Sequence, residues 1–386
     1  MFFIALFGYM PTNLNGDQRI WMGATLLLVI CTLLDAKSKK IKPYIGNSYW
    51  IYFLLIVFGV LSMMWSDNNR YTLNYLTTKF PFITIGAFCV GAYMYDDASN
   101  DRILKLMTLA ACIAALRFCY YTPWKSYYRG DFGILLDSNT NYNNYTSPLC
   151  MAFIIAAYYA FVRKSKMMLV PTAALAVVLV LAGSRKTIVV LPVIALFYLI
   201  DTRNYKKFLK GLLWSFVLII LLVVAIMNIE ILSGIRESLM NAVNAYIFGQ
   251  RSGIGNSTES RMYLVETAQK VWMEHPVWGV GWNNFRYHNA LGLYSHNNYI
   301  EVLTCLGIVG FALYYSQHAR TLYVALSKKN RRRNSWVKLV LGTLLGMLVI
   351  EVGAVAIYSR EIMLIYLIVL TMYDRMNGLG RRITYI

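Results

Sequence analysis

The chain is a succession of apolar runs, most of them about fourteen to twenty-one residues long, with shorter ones at 2–10 and 361–373, nearly free of charge and interrupted once by a long hydrophilic stretch at 230–297. A bilayer core of about 30 Å is crossed by roughly 20 apolar residues in a helix. Lipid offers no hydrogen-bond partner to a backbone, so such runs fold as helices that bond internally. The runs occupy 2–10, 20–34, 49–65, 80–95, 103–121, 144–162, 167–183, 187–200, 209–229, 298–317, 337–355 and 361–373. The composition agrees: 58% of the 386 residues are hydrophobic and 14% charged, where soluble domains are about half apolar and a quarter charged. The expectation is an all-α polytopic membrane protein with about 12 transmembrane helices.

A formal net charge of +19 would suit nucleic acid if it formed one patch, but it does not. Lysine and arginine cluster in alternate connecting segments: Lys37 to Lys42, Arg163 to Lys166, Arg203 to Lys207, Lys328 to Arg333, and Arg381 with Arg382. That alternation is the positive-inside pattern, and it assigns these segments and both termini to the cytoplasmic side. The opposite side then carries 11–19, 66–79, 122–143, 184–186, 230–297 and 356–360. The apolar first residues read as a short span, not as a cleavable signal. Three regions follow: a membrane bundle over 1–229, an extracytoplasmic loop or cap over 230–297, and a closing bundle over 298–386. All six cysteines lie within apolar runs and read as small buried hydrophobes.

Within the long loop, residues 233–247 have the pattern of an amphipathic helix, and Asn256 with Glu259 forms a capping box for a second one. That second helix runs to about Glu274 and stops at His275-Pro276, because proline disfavours helix in the residue before it. Arg185, Arg236, Arg251 and Arg261 fall on the less basic side, where orientation does not require them. A guanidinium offers a rigid fork of donors matched to phosphate oxygens. Snorkelling or helix capping would account for a single arginine. It serves least well for Arg185, which with Lys186 forms a tight basic turn between two spans.

His296, followed by Asn297, stands at the start of the span beginning near Asn298. A helix N-terminus disfavours imidazolium, which leaves a neutral ring able to take a proton. A histidine there also serves as a cap or interfacial residue, and His275 and His288 read as turn residues. Gly307 and Gly310 share nearly one helix face and read as points of close helix approach. The segment 122–143, with Arg129, is rich in Tyr, Asn and Asp, a composition shared by sugar-binding loops and ordinary polar ones. The chain has no Walker loop, zinc-ligand spacing or nucleophile elbow.

Three pieces in fixed order resemble the O-antigen ligase and O-antigen polymerase family of bacterial envelope enzymes. They are Gly183-Ser184-Arg185-Lys186; Ser260-Arg261 with the following helix and His275-Pro276-Val277-Trp278-Gly279-Val280-Gly281-Trp282; and His296-Asn297-Asn298-Tyr299 leading to Gly307 and Gly310. The resemblance covers roughly residues 170–315. It implies a C-type glycosyltransferase architecture and a donor glycan carried on undecaprenyl pyrophosphate, used outside the cytoplasm without a nucleotide sugar, metal or other cofactor. It implies that Arg185 and Arg261 bind the pyrophosphate and that His296 is the catalytic base; Lys186, Arg236, Arg251, Asn297 and Arg129 are expected in support. It further implies residence in the bacterial inner membrane, a glycan or lipid-linked glycan acceptor, and polysaccharide-assembly partners. The His-Asn-Asn-Tyr form leans toward a polymerase over a ligase that transfers to lipid A-core. A transporter or lipid flippase is the reading from another class.

Overall fold

The computed structural model describes residues 2–3, 6, 15–38, 40–121, 142–182, 184–199, 233–246, 257–327 and 336–382, with parts of 213–230. The described helices are α1 (Asn15–Lys37), α2 (Asn47–Leu61), α3 (Asn69–Thr78), α4 (Phe80–Tyr93), α5 (Asp97–Tyr121), α6 (Tyr142–Ala157) and α7 (Leu169–Leu181). They continue as α8 (Arg185–Leu199), α9 (Ser233–Tyr246), α10 (Ser257–Glu274), α11 (Asn298–Leu326), α12 (Val337–Gly353) and α13 (Arg360–Met376). Among the described residues a short antiparallel ribbon joins β1 (Tyr44–Gly46) to β2 (Gly380–Arg382). Among the described residues four helices are long and apolar enough to cross a membrane, at Asn47–Met64, Asn69–Tyr93, Asp97–Tyr120 and Asn298–Leu326. Leu26, Leu33, Leu109 and Leu116 project from helix faces with more than half their surface uncovered. Such leucine faces are disfavoured in water and at home against lipid.

The chain packs as two compact units. The first comprises 1–31, 96–240 and 335–350. Helices α5, α6, α7 and α8 pack on one another in it. An added Cβ at Gly342 would overlap the Tyr198 hydroxyl, and one at Gly346 would overlap Ile154, so these two glycines let α12 lie close on α8 and α6. At one end Trp336 stacks on Tyr158 at 5.7 Å and donates from Nε1 to Asp97 at 2.9 Å, with the Arg163 guanidinium 4.7 Å from the indole.

The second unit comprises 32–95, 241–334 and 351–386. Its centre is α13, buried continuously from Glu361 to Asp374. A helix apolar all round belongs in the middle of a bundle, and α4 and α2 flank it. At one end the Asp374 carboxylate accepts from the Ser48 amide at 2.7 Å and from Arg320 Nη2 at 2.8 Å, beside the β1–β2 ribbon. At another, segments 66–79, 280–297 and 356–360 meet. Asn284 Nδ2 donates to Ser66 Oγ and to the Asn68 carbonyl, Thr72 Oγ1 donates to the Trp282 carbonyl, and Tyr75 donates to the Ile357 carbonyl.

The structure differs from the sequence reading in three places. Segment 66–79 is not a plain connection: it contains α3, which Pro81 at the start of α4 continues into the next helix. Helix α11 reaches Leu326, about two turns beyond residue 317. Gly310 does permit close approach, since a Cβ there would meet Phe58 of α2 at 3.1 Å. Gly307, by contrast, breaks the helix, with φ 63° and ψ −170°. The break frees backbone groups that the segment after α10 satisfies. Val280 donates to the Thr304 carbonyl at 2.9 Å and Gly281 to the Cys305 carbonyl at 2.8 Å; in return Ile308 donates to the Pro276 carbonyl at 2.9 Å. An added Cβ at Gly307 would overlap the Val277 carbonyl, and one at Gly279 would overlap the Cys305 backbone.

Gly307→Val combines that overlap with a left-handed backbone that alone costs ~1–3 kcal/mol. The thermal unfolding midpoint in detergent is expected to fall and chymotrypsin to cut within 276–282. Gly23→Ala, with open space around the added Cβ, should leave the midpoint unchanged. An unchanged midpoint for Gly307→Val would show that the helix absorbs the clash.

Candidate functional site

In the second unit, helix α11 starts with a capped N-terminus. Asn297 is its cap: the side-chain oxygen accepts from the Tyr299 and Ile300 amides at 3.0 and 3.2 Å, which satisfies donors that a helix start leaves open. Asn297 Nδ2 donates to the Val352 carbonyl at 3.3 Å. Asn298 is fully buried; its oxygen accepts from the Ile357 amide at 3.1 Å and its Nδ2 donates to the Tyr315 hydroxyl at 3.2 Å. Tyr315 in turn donates to Glu351 Oε2 at 3.1 Å, and Tyr314 donates to Glu351 Oε1 at 2.5 Å. The buried Glu301 accepts the Ser295 amide at 2.7 Å, and Ser295 Oγ donates to the Asn297 carbonyl at 2.8 Å.

His296 lies between these anchored neighbours, half-buried, with φ 59°. A non-glycine residue in the left-handed region is uncommon and persists only where its surroundings over-determine it. Its ring centroid lies 4.3 Å from that of Tyr294. The Arg286 guanidinium lies 4.9 Å from the same tyrosine ring, and Arg286 Nε donates to Asn283 Oδ1 at 3.0 Å. Burial pushes the Tyr294 phenol up, while Arg286 and Arg261 pull it down. The turn itself is held by Asn289, whose amide donates to the Phe285 and Leu293 carbonyls at 2.8 Å each.

Around this turn the charge is unbalanced. Arg286 is within electrostatic reach of Glu301 and Lys79, and Lys79 of Arg360 and Glu361. Lys79 Nζ donates to the Tyr358 carbonyl at 2.7 Å, and Arg360 pairs with Glu361 at 2.7 Å. Among the described residues, Glu301 and Glu361 are the carboxylates in electrostatic reach of Lys79 and Arg286, and with Arg261 and Arg360 nearby the surroundings are net basic and suited to an anion.

The sequence-derived residues are distributed as follows. Arg261, His296 and Asn297 all belong to the second unit, where His296 packs on Tyr294 and Arg261 acts electrostatically on that tyrosine. In the first unit Arg185 opens α8, and Lys186 follows it half-buried. The buried Ser184 carbonyl there accepts from the Thr187 and Ile188 amides at 3.0 and 3.1 Å. A helix start of this kind favours negative charge. Arg236 Nη1 donates to the Met227 carbonyl at 2.7 Å, the capping role that competes with anion binding. Arg129 and Arg251 lie outside the described residues, as do Asn256 and most of 122–143. Sequence reading passed over Arg286 and Tyr294. The available signal was an arginine in the same turn as the histidine motif, on the side where orientation requires none. Among the described residues no group of three metal-ligating side chains gathers.

His288 Nε2 sits 3.1 Å from Asp67 Oδ2. Burial lowers the affinity of this imidazole for a proton, against the pull of Asp67. With its folded value below the unfolded one, its contribution to stability is complete above about pH 6.5 and declines as pH falls from there toward the folded value. The unfolding midpoint should drop over that window, and His288→Gln should flatten the slope. An identical slope in the variant would remove His288 as its source.

No curated protein matches the chain. Residues 170–315 match the O-antigen ligase family, over a segment that contains Arg185, Arg261, Arg286 and His296. With the helical membrane character of the chain, this match supports its membership of the O-antigen ligase and polymerase family.

Proposed function

We propose that the chain is a surface-polysaccharide polymerase of the O-antigen or capsule-like kind, a multi-pass glycosyltransferase of about twelve spans in the bacterial inner membrane. It transfers a glycan from undecaprenyl pyrophosphate to the next lipid-linked repeat on the extracytoplasmic face. The observation that carries this reading is His296, held in a left-handed backbone by its capped neighbours, against Tyr294 and beside a net basic cluster. Strained backbone of this kind concentrates where pre-organisation serves chemistry.

In the proposed step the acceptor hydroxyl oxygen bonds to the anomeric carbon from the face opposite the leaving group. The carbon–phosphate oxygen bond breaks with inversion, and its electron pair leaves on the polyprenyl pyrophosphate. The hydroxyl proton passes to the His296 imidazole. Arg261 and Arg286, with Arg185 and Lys186, offset the charge that grows on the leaving pyrophosphate. Asn297 holds the histidine turn, and the reaction calls on no cofactor. The ligase reading, with lipid A-core as acceptor, has the description of the matched family in its favour. A transporter or flippase reading draws on His318 and Glu351, which lie buried 3.7 Å apart.

Deletion of the gene, followed by analysis of surface glycan and lipid-linked intermediates, separates these readings. Loss of the long ladder with single repeats retained supports the polymerase. Long chains stranded on the polyprenyl carrier support the ligase. An unchanged profile removes both. His296→Ala should lower transfer by ~10²-fold or more at normal protein level; wild-type transfer would exclude His296 as base. Arg261→Lys and Arg185→Lys keep charge but lose the fork, and should lower transfer markedly. Undiminished rates in both would sink the pyrophosphate clamp.

A further inference from the structure

On the second unit a cleft of about 460 Å³ opens between the end of α10 and the segment after α2, lined by Trp65, Asp67, Glu274, His275 and Trp278 among others. Its volume falls within the ~300–1,000 Å³ of ordinary small-ligand sites. Trp278 is 54% exposed and Trp65 37% exposed, although both are large apolar side chains. They are nevertheless fixed: each packs on Phe58, at 6.2 and 6.0 Å, and on the other at 6.0 Å. The backbone beneath Trp278 is the segment bonded into the break of α11. The cleft is therefore preformed, and its indoles retain uncovered faces without the entropy of loose side chains.

The polar groups decide what it takes. The Glu274 carboxylate and the His275 imidazole make no hydrogen bond among the described residues, and Asp67 engages only His288, through one oxygen. Two carboxylates repel phosphate, which excludes the donor pyrophosphate and an anionic lipid headgroup. An acyl chain would leave both carboxylates facing hydrocarbon, an unfavourable burial of unpaired charge. A saccharide satisfies both features: its C–H faces lie on indoles, and its hydroxyls donate to carboxylates.

We propose that this cleft is a saccharide subsite, in which Trp65 and Trp278 stack on sugar rings while Asp67 and Glu274 accept their hydroxyls. It deepens the transferase reading and rests on it for its role, holding a stretch of glycan while the basic cluster holds the pyrophosphate.

The test is calorimetry on the detergent-solubilised full chain, with oligosaccharide released by mild acid from the lipid-linked intermediates of the source cells as probe. Wild-type protein and Gly23→Ala, a substitution into open space away from the cleft, should bind it equally. Trp278→Ala and Glu274→Ala should weaken binding about tenfold or more, the scale of a lost anchor, and Trp278→Phe, which keeps a stacking ring, should restore much of it. Equal binding by Trp278→Ala and Glu274→Ala, or binding by neither wild type nor variants, overturns the subsite. Binding lost in Trp278→Ala supports it even if the deletion strain's glycan is unchanged; in that case the transferase reading fails and the saccharide site stands.

Discussion

The exchange of backbone hydrogen bonds between residues 276–281 and the break in α11 is the interaction on which the second unit depends. A helix interrupted by Gly307 leaves amides and carbonyls without partners in their own helix, and buried backbone groups have to find partners elsewhere. The segment after α10 supplies those partners, and the break in turn fixes the path of that segment. Neither element is stable in this form alone. The glycines at 279 and 307 follow from contact of backbone on backbone, which leaves no room for a side chain.

From that junction the order propagates in two directions. Toward the start of α11, the Asn297 and Asn298 side chains tie the histidine turn to residues 352 and 357, while Glu301 secures Ser295. Toward α2, the same segment carries Trp278 and Trp282. Trp282 fills the space over Gly59, where an added Cβ would overlap its ring. The basic cluster and the aromatic cleft are thus mounted on backbone that is bonded on both sides. Sites on such supports hold their geometry better than sites on free loops.

Periodicity and punctuation made much of this legible in the sequence. Pro276 marks the end of α10, which stops at Glu274, and Asn297 marks the start of α11 at Asn298. Both signals are local: a missing amide in one case and a short acceptor side chain in the other. The break at Gly307 was not legible, because a glycine in an apolar helix looks the same whether it admits a neighbouring helix or a foreign backbone. Gly310, three residues on, does the former. Helix α3 was hidden by its polarity, which reads as a connection until Pro81 is seen to start α4. Arg286 escaped notice because its place beside Tyr294 depends on a turn built by Asn283 and Asn289, whose hydrogen bonds have no periodic signature.

The burial of α13 has a consequence for biogenesis. It is the most enclosed helix of its unit, yet its partners α2 and α4 precede it by more than two hundred residues. Contacts of such separation form late, after the intervening chain has been laid down. Until α13 leaves the ribosome, α2 and α4 must wait with the groove it will fill still open. During that interval the apolar lining of the groove needs some other cover.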